Sequence, residues 1–226
     1  MIRRYLSPVL AIIILMAYAH AAPVLNEIRT DQVSDDVDEY FELAGDPGES
    51  LSGYWYVVIG DGDNYDSGVV EMAFDLSGLT IGADGFLSVG EDGAIPCGEI
   101  DEVSAGSLNF ENSDNVTHML VDGFTGALLD DLDTDDDGVF DTEPWLSVVD
   151  CIALIETPHS GELVYCDADV GSGDAVPVTH AIRCTTGWLI GDFAICTLDT
   201  PGGANDTACE VSNEPMSWGA VKVVYR

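Results

Sequence analysis

Beyond residue 21, no window of this chain sustains the i, i+3, i+4, i+7 apolar spacing of an amphipathic helix. Its apolar residues come instead in short β-branched and aromatic runs, each stopped by Gly, Asp or Pro. The run Leu51-Ser52-Gly53-Tyr54-Trp55-Tyr56-Val57-Val58-Ile59 ends at Gly60-Asp61-Gly62-Asp63-Asn64, as a strand running into a turn does. Val24 to Ile28 and Glu39 to Leu43 alternate on either side of an acidic polar stretch, which predicts paired strands joined by a solvated loop. Further strands are expected at 68–74, 86–89, 116–121 and 148–155, and shorter ones at 176–183, 187–190 and 193–198. Seven or more strands with this punctuation predict an antiparallel β-sandwich. A short helix is expected only in the tail, where Ser217 is a good N-cap and Lys222 and Arg226 supply positive charge to dock on an acidic body.

Residues 1–21 read as a secretory signal: Arg3 and Arg4 precede an apolar stretch from Val9 to Ala19, and Ala19-His20-Ala21 is a small-residue cleavage site. That stretch is well short of the ~20 apolar residues that span a bilayer. The expectation is therefore a secreted, extracellular or cell-surface protein with no membrane insertion after signal removal. The whole chain sets 42 acidic side chains against 6 basic ones, a net charge of −36. Losing Arg3 and Arg4 leaves Arg29, Arg183, Lys222 and Arg226 against the same 42 acids, a net of −38. Such a surface repels phosphate backbones and anionic lipid, which excludes nucleic acid as a partner. A hydrophobic content of 46% separates the chain from charged disordered sequences, which cannot bury a core.

Six cysteines, Cys97, Cys151, Cys166, Cys184, Cys196 and Cys209, all lie after the signal, and an even count in an exported chain predicts disulfides. Sequence does not choose among their pairings. Four of the six fall between 166 and 209, where apolar periodicity is weakest, so the bridges are expected mainly to staple that extension. No C-x-x-C or H-x₃-H spacing points to zinc. Asn115-Val116-Thr117 and Asn205-Asp206-Thr207 are glycosylation sequons, usable only in a host with the machinery.

The blocks Val24-Leu25-Asn26-Glu27-Ile28, Glu39-Tyr40-Phe41-Glu42-Leu43, Leu51-Ser52-Gly53-Tyr54-Trp55, Phe74-Asp75-Leu76-Ser77-Gly78 and Gly85-Phe86-Leu87-Ser88-Val89 occur in that order. Together they resemble the lamin-tail domain of bacterial secreted proteins. Phe124-Thr125-Gly126, Asp131 to Val139, Pro144-Trp145 and Val149-Asp150 are similar to an acidic insertion of such domains, and Asp199 to Asn205 to their closing segment. The resemblance covers about residues 24–206, with no family motif for the cysteine-rich stretch. It implies an immunoglobulin-like sandwich that binds or scaffolds, with no catalytic residues of its own. The organisation expected is thus a signal at 1–21, one domain at 22–208 with an acidic insertion at 130–143 and a cysteine-rich part at 151–208, and a tail at 209–226.

The strongest chemical signal is Asp133-x-Asp135-x-Asp137-Gly138-x-x-Asp141. Carboxylates two apart, with Gly for a sharp turn and the Val139 carbonyl as a further oxygen, suit calcium. Pro144 stands where an EF-hand has its bidentate Glu, so the loop is closer to the calcium turns of thrombospondin-type or dockerin repeats, with Glu143, Asp130 or Asp131 free to complete the shell. Eight carboxylates between Asp130 and Glu143 oppose a compact loop unless a cation joins them. The turn Asp61-Gly62-Asp63-Asn64-Tyr65-Asp66 fits calcium less well and reads as a polar hairpin turn. His118, His159 and His180 are isolated from catalytic partners at motif spacing, and His118 reads as a half-buried sheet residue. Trp55, Trp145, Trp188 and Trp218 adjoin apolar runs, which favours core packing over a sugar platform. The functional expectation is a non-catalytic secreted module, calcium-stabilised, that binds an extracellular or cell-surface protein or glycan. The alternatives are a metal-dependent hydrolase built on residues 130–143 and a carbohydrate-binding accessory module.

Overall fold

A computed structural model of the chain describes residues 21–31, 38–61, 67–91, 95, 97–104, 108, 110–111, 115–156, 163–171 and 178–213. Outside these residues lie the expected signal up to residue 20, the acidic run at 62–66, His159, and the helix expected from Ser217 to Arg226.

The described residues form eleven strands and one helix: β1 (Val24–Arg29), β2 (Tyr40–Ala44), β3 (Tyr54–Asp61), β4 (Ser67–Asp75), β5 (Phe86–Gly90), β6 (Glu102–Val103), β7 (Val116–Asp122), β8 (Ser147–Ile155), β9 (Asp169–Gly171), β10 (His180–Cys184), β11 (Gly187–Ile190) and α1 (Asp206–Asn213). Two sheets result, ordered β11-β10-β1-β2-β5-β6 and β4-β3-β7-β8-β9. All central pairings are antiparallel. The short edge strands β6 and β9 join their neighbours in parallel, so each sheet is mixed. The expected pairing of the first two runs is present, with Ile28 opposite Phe41 and a register shift between Leu25 and Glu27. The helix falls at 206–213, ahead of the tail position, and 193–198 makes turns where a strand was expected.

The period-2 alternation explains why both faces of each sheet are covered. On β3, Tyr56 and Val58 join the core between the sheets, where the Tyr56 ring stacks on Phe41 with centroids 3.7 Å apart. Val57 and Ile59 point the other way and join a second cluster with Val70, Met119, Val121, Phe124 and Leu132. That second cluster lies under the acidic segment 124–146. The outer face of the six-stranded sheet carries Glu27, Arg29, Tyr40 and Glu42, all buried beneath residues 191–205. The sandwich therefore has two covering layers, one over each sheet.

Three disulfides fix these layers: Cys97–Cys196, Cys151–Cys166 and Cys184–Cys209. Only Cys184–Cys209 lies wholly within the stretch that sequence singled out. The other two tie that stretch to the body, because the segment covers sheets made earlier in the chain instead of extending beyond them. Among the described residues, no helix is long and apolar enough to cross a membrane.

Candidate metal centre

The acidic segment leaves β7 at Gly123 and returns to β8 at Ser147, running along β4. Backbone bonds hold it there: Leu129 N–H donates to Val70 O, Val70 N–H to Asp130 O, and Leu132 N–H to Gly68 O. Phe124 and Leu132 fill the outer cluster, and Phe140 stacks on Tyr165 with centroids 4.4 Å apart. These apolar anchors bring the alternate carboxylates together.

Asp133, Asp135 and Asp141 place one carboxylate oxygen each within 4.8 Å of one another, so this group could hold a metal ion. Asp133 is buried and shapes the loop. Its Oδ1 accepts the Asp137 N–H at 3.2 Å, and its Oδ2 accepts the Gly138 N–H at 2.9 Å and the Tyr165 hydroxyl at 2.8 Å. Burial works against the Asp133 anion, yet these bonds outweigh it and hold the carboxyl below its ordinary pKa. Gly68 makes room for it: a Cβ there would lie 2.7 Å from Asp133 Cβ, and the backbone φ is +82°. Asp135 is exposed, and the charge of Asp137, followed by its other acidic neighbours, raises its pKa. The Asp141 carboxylate accepts from the Thr134 N–H at 3.0 Å and from its hydroxyl. All donors are hard oxygens, and repulsion among them is what a divalent cation would relieve.

Asp137 and Glu143, expected as further ligands, are not among these three. Asp137 turns its Oδ1 to cap the Val139 N–H at 2.9 Å, and Asp136, with φ +52°, takes the left-handed position that lets the chain reverse. Val139 and Glu143 line a groove beside the loop. Asp130 and Asp131 bond locally, to Ala127 N–H and Asp133 N–H.

The second charged site, Glu27, His180 and Asp199, was not anticipated from sequence; it also has metal-like spacing, but every member is buried and a protein cation already sits among them. Arg29 donates through Nε and NH2 to both oxygens of Asp199, and its NH2 lies 3.0 Å from His180 Nδ1. A guanidinium only donates, so Nδ1 accepts and the ring proton sits on Nε2, which donates to Glu27 Oε1 at 2.7 Å. Tyr40 and Thr200 hydroxyls complete the Glu27 shell. Burial opposes the Asp199 anion, but the bonds and charge of Arg29 hold its pKa down. Nearby Glu42 has no cation beside it among the described residues, and burial pushes it up to about 8 despite bonds from Asn26 and Gly202. Gly191 is required here, since a Cβ would lie 2.2 Å from His180 Nδ1. In the sequence, Glu27 and Arg29 alternate with core-facing Ile28, a pattern that ordinarily faces water and so did not signal a covering layer.

His118 is fully buried, deeper than expected, with Nδ1 2.6 Å from the Tyr56 hydroxyl, and burial lowers its pKa to about 3. Trp55 packs near Phe124, Trp145 near Phe140, and Trp188 lies under the Arg183 guanidinium. Both sequon asparagines are structural. Asn115 Oδ1 accepts the Glu156 N–H, and Asn205 Nδ2 donates to the Asn26 and Arg183 carbonyls. A scan against protein-family models and searches of curated proteins and of solved structures found no match to this chain.

Proposed function

We propose that this is an exported, calcium-stabilised binding or structural module of lamin-tail type, whose partner is an extracellular or cell-surface protein or glycan. The observation that carries the calcium reading is the convergence of Asp133, Asp135 and Asp141 at positions 1, 3 and 9 of one loop. Asp133 supplies a buried, low-pKa anchor, and the other two face solvent. The lamin-tail reading rests on the ordered blocks now found on β1, β2, β3 and β5, in a sandwich. Export is supported by the signal sequence together with three disulfides, which persist in oxidising compartments.

A module is favoured over a hydrolase because Asp135 and Asp141 are exposed and are not among the groove-lining residues. The described histidines are engaged elsewhere, His118 by Tyr56 and His180 by Arg29 and Glu27.

Titration calorimetry on the mature chain tests the calcium reading. A saturable signal is expected, lost in the Asp135→Asn, Asp141→Asn double variant and weakened in Asp137→Ala through loop shape alone. At a calcium concentration of 100 times Kd, stabilisation should reach about 2.7 kcal/mol. No heat above buffer, with Tm equal in calcium and in chelator, would reject it.

A further inference from the structure

The groove beside the acidic loop has a volume of about 660 Å³, within the range of roughly 300–1,000 Å³ that ligand sites occupy. One wall is Val139 and the Phe140–Tyr165 ring pair; the other is β8 at Val148. Its base includes the buried Met119 and the Cys151–Cys166 bridge. Val139 is 66% exposed and Val148 42% exposed, so two aliphatic side chains line this concavity while remaining open to water.

The walls are preorganised. The disulfide fixes β8 to the 164–168 segment, and the Tyr165 hydroxyl ties that segment to Asp133 of the loop. A ligand therefore meets a surface that has already been ordered.

Every charged side chain on the lining is a carboxylate: Glu143, Asp150 and Asp167. Asp150 is satisfied by Arg183 and the Leu25 N–H, while Glu143 and Asp167 are exposed at the rim. Aliphatic walls, an aromatic pair and an acidic rim complement a chain that alternates apolar side chains with Arg or Lys. The apolar side chains fill the cleft, and the cations meet the rim and the ring faces. Anionic lipid and nucleic acid are repelled by the same charges.

We infer that this groove docks a cationic, aliphatic-rich peptide segment of a partner protein. The probe is a fluorescein-labelled decapeptide of alternating Leu and Arg, followed by fluorescence anisotropy at physiological salt. Saturable binding to the wild-type chain is expected. Val139→Asp with Val148→Asp should weaken it at least tenfold, although these changes add negative charge. Both sites are solvent-exposed, and Leu128→Asp, elsewhere on the same loop, controls for added charge and should leave affinity unchanged. Glu143→Gln with Asp167→Asn should weaken binding about threefold to tenfold. Equal affinity for the double Val variant, or for a peptide with Ser in place of Leu, would assign attraction to the general acidic coat and overturn the docking site. A rise in affinity on deleting residues 214–226 would make the chain's own tail the occupant and overturn the external partner.

Discussion

The two covering layers solve the same problem with opposite chemistry. Over the five-stranded sheet, the acidic segment puts Phe124, Leu132, Phe140 and Trp145 against apolar strand residues and turns every carboxylate but that of Asp133 outward. Over the six-stranded sheet, residues 191–205 cover Glu27, Arg29, Tyr40 and Glu42 and, together with His180 of β10, satisfy them through Asp199, Thr200 and the Gly202 N–H. The first layer gains by removing apolar area from water, a non-directional term that tolerates loop variation. The second depends on every partner being in place, because an unpaired buried charge costs several kcal/mol. Where the charges face water, a solvent cation can serve; where they are buried, the chain spends one of its few arginines.

The largest effect that separates the layers should come from Asp199→Ala, which leaves Arg29 buried and unpaired and should cost about 3–5 kcal/mol in chemical denaturation. Adding Arg29→Met should recover much of that loss. If both variants are equally unstable, the ionic pair is not what the layer depends on.

Next comes pH. Glu42 is held near 8 in the fold against about 4.5 when exposed, so its contribution is complete below about pH 4.5 and is lost as pH rises toward 8, at up to about 1.4 kcal/mol per unit. Asp199 has the opposite sign: its pKa is depressed, so its contribution is lost on acidification below the ordinary carboxylate range. Glu42→Gln should flatten the decline of a stability profile between about pH 4.5 and 8, and Asp199→Asn the acid limb. An unchanged slope between those values in Glu42→Gln would refute the assignment.

A smaller loss is expected from Tyr165→Phe in the acidic layer, about 1–2 kcal/mol, because the ring still stacks on Phe140 and only the bond to Asp133 goes. Its calcium affinity should also fall, which calorimetry reads directly. The smallest effect is none: expressed in a glycosylating host, the folded chain should keep its unmodified mass at Asn115 and Asn205, as intact mass spectrometry will show.

The strands were legible in the sequence because period-2 alternation and turn residues are local. Nine of the ten expected runs overlap strands, including the short Gly187–Ile190, whereas β6 and β9 have two and three residues and exist only by pairing with β5 and β8. Segment 193–198 has strand-like composition, yet it spends its backbone on turns that deliver Cys196 to Cys97 and Asp199 to Arg29. At the candidate metal centre, the spacing that drew attention to Asp133, Asp135 and Asp141 corresponds to carboxylates that the fold brings together. Asp137 also caps the Val139 N–H, a bond that no sequence rule predicts for a loop aspartate. The ionic network was hidden because its partners, Arg29 and Asp199, lie 170 residues apart.

The bonds between the acidic segment and β4 have a consequence for self-association. β4 is an edge strand, and an uncovered edge offers a template on which a second copy extends the sheet. Here Val70 exchanges bonds with Leu129 and Asp130, and Gly68 accepts from Leu132, so the Gly68–Val70 end of that edge is already paired. Any copy that displaced the segment would meet its eight carboxylates with eight of its own, so the charge that shapes the loop also keeps sheets of neighbouring molecules from merging into aggregates.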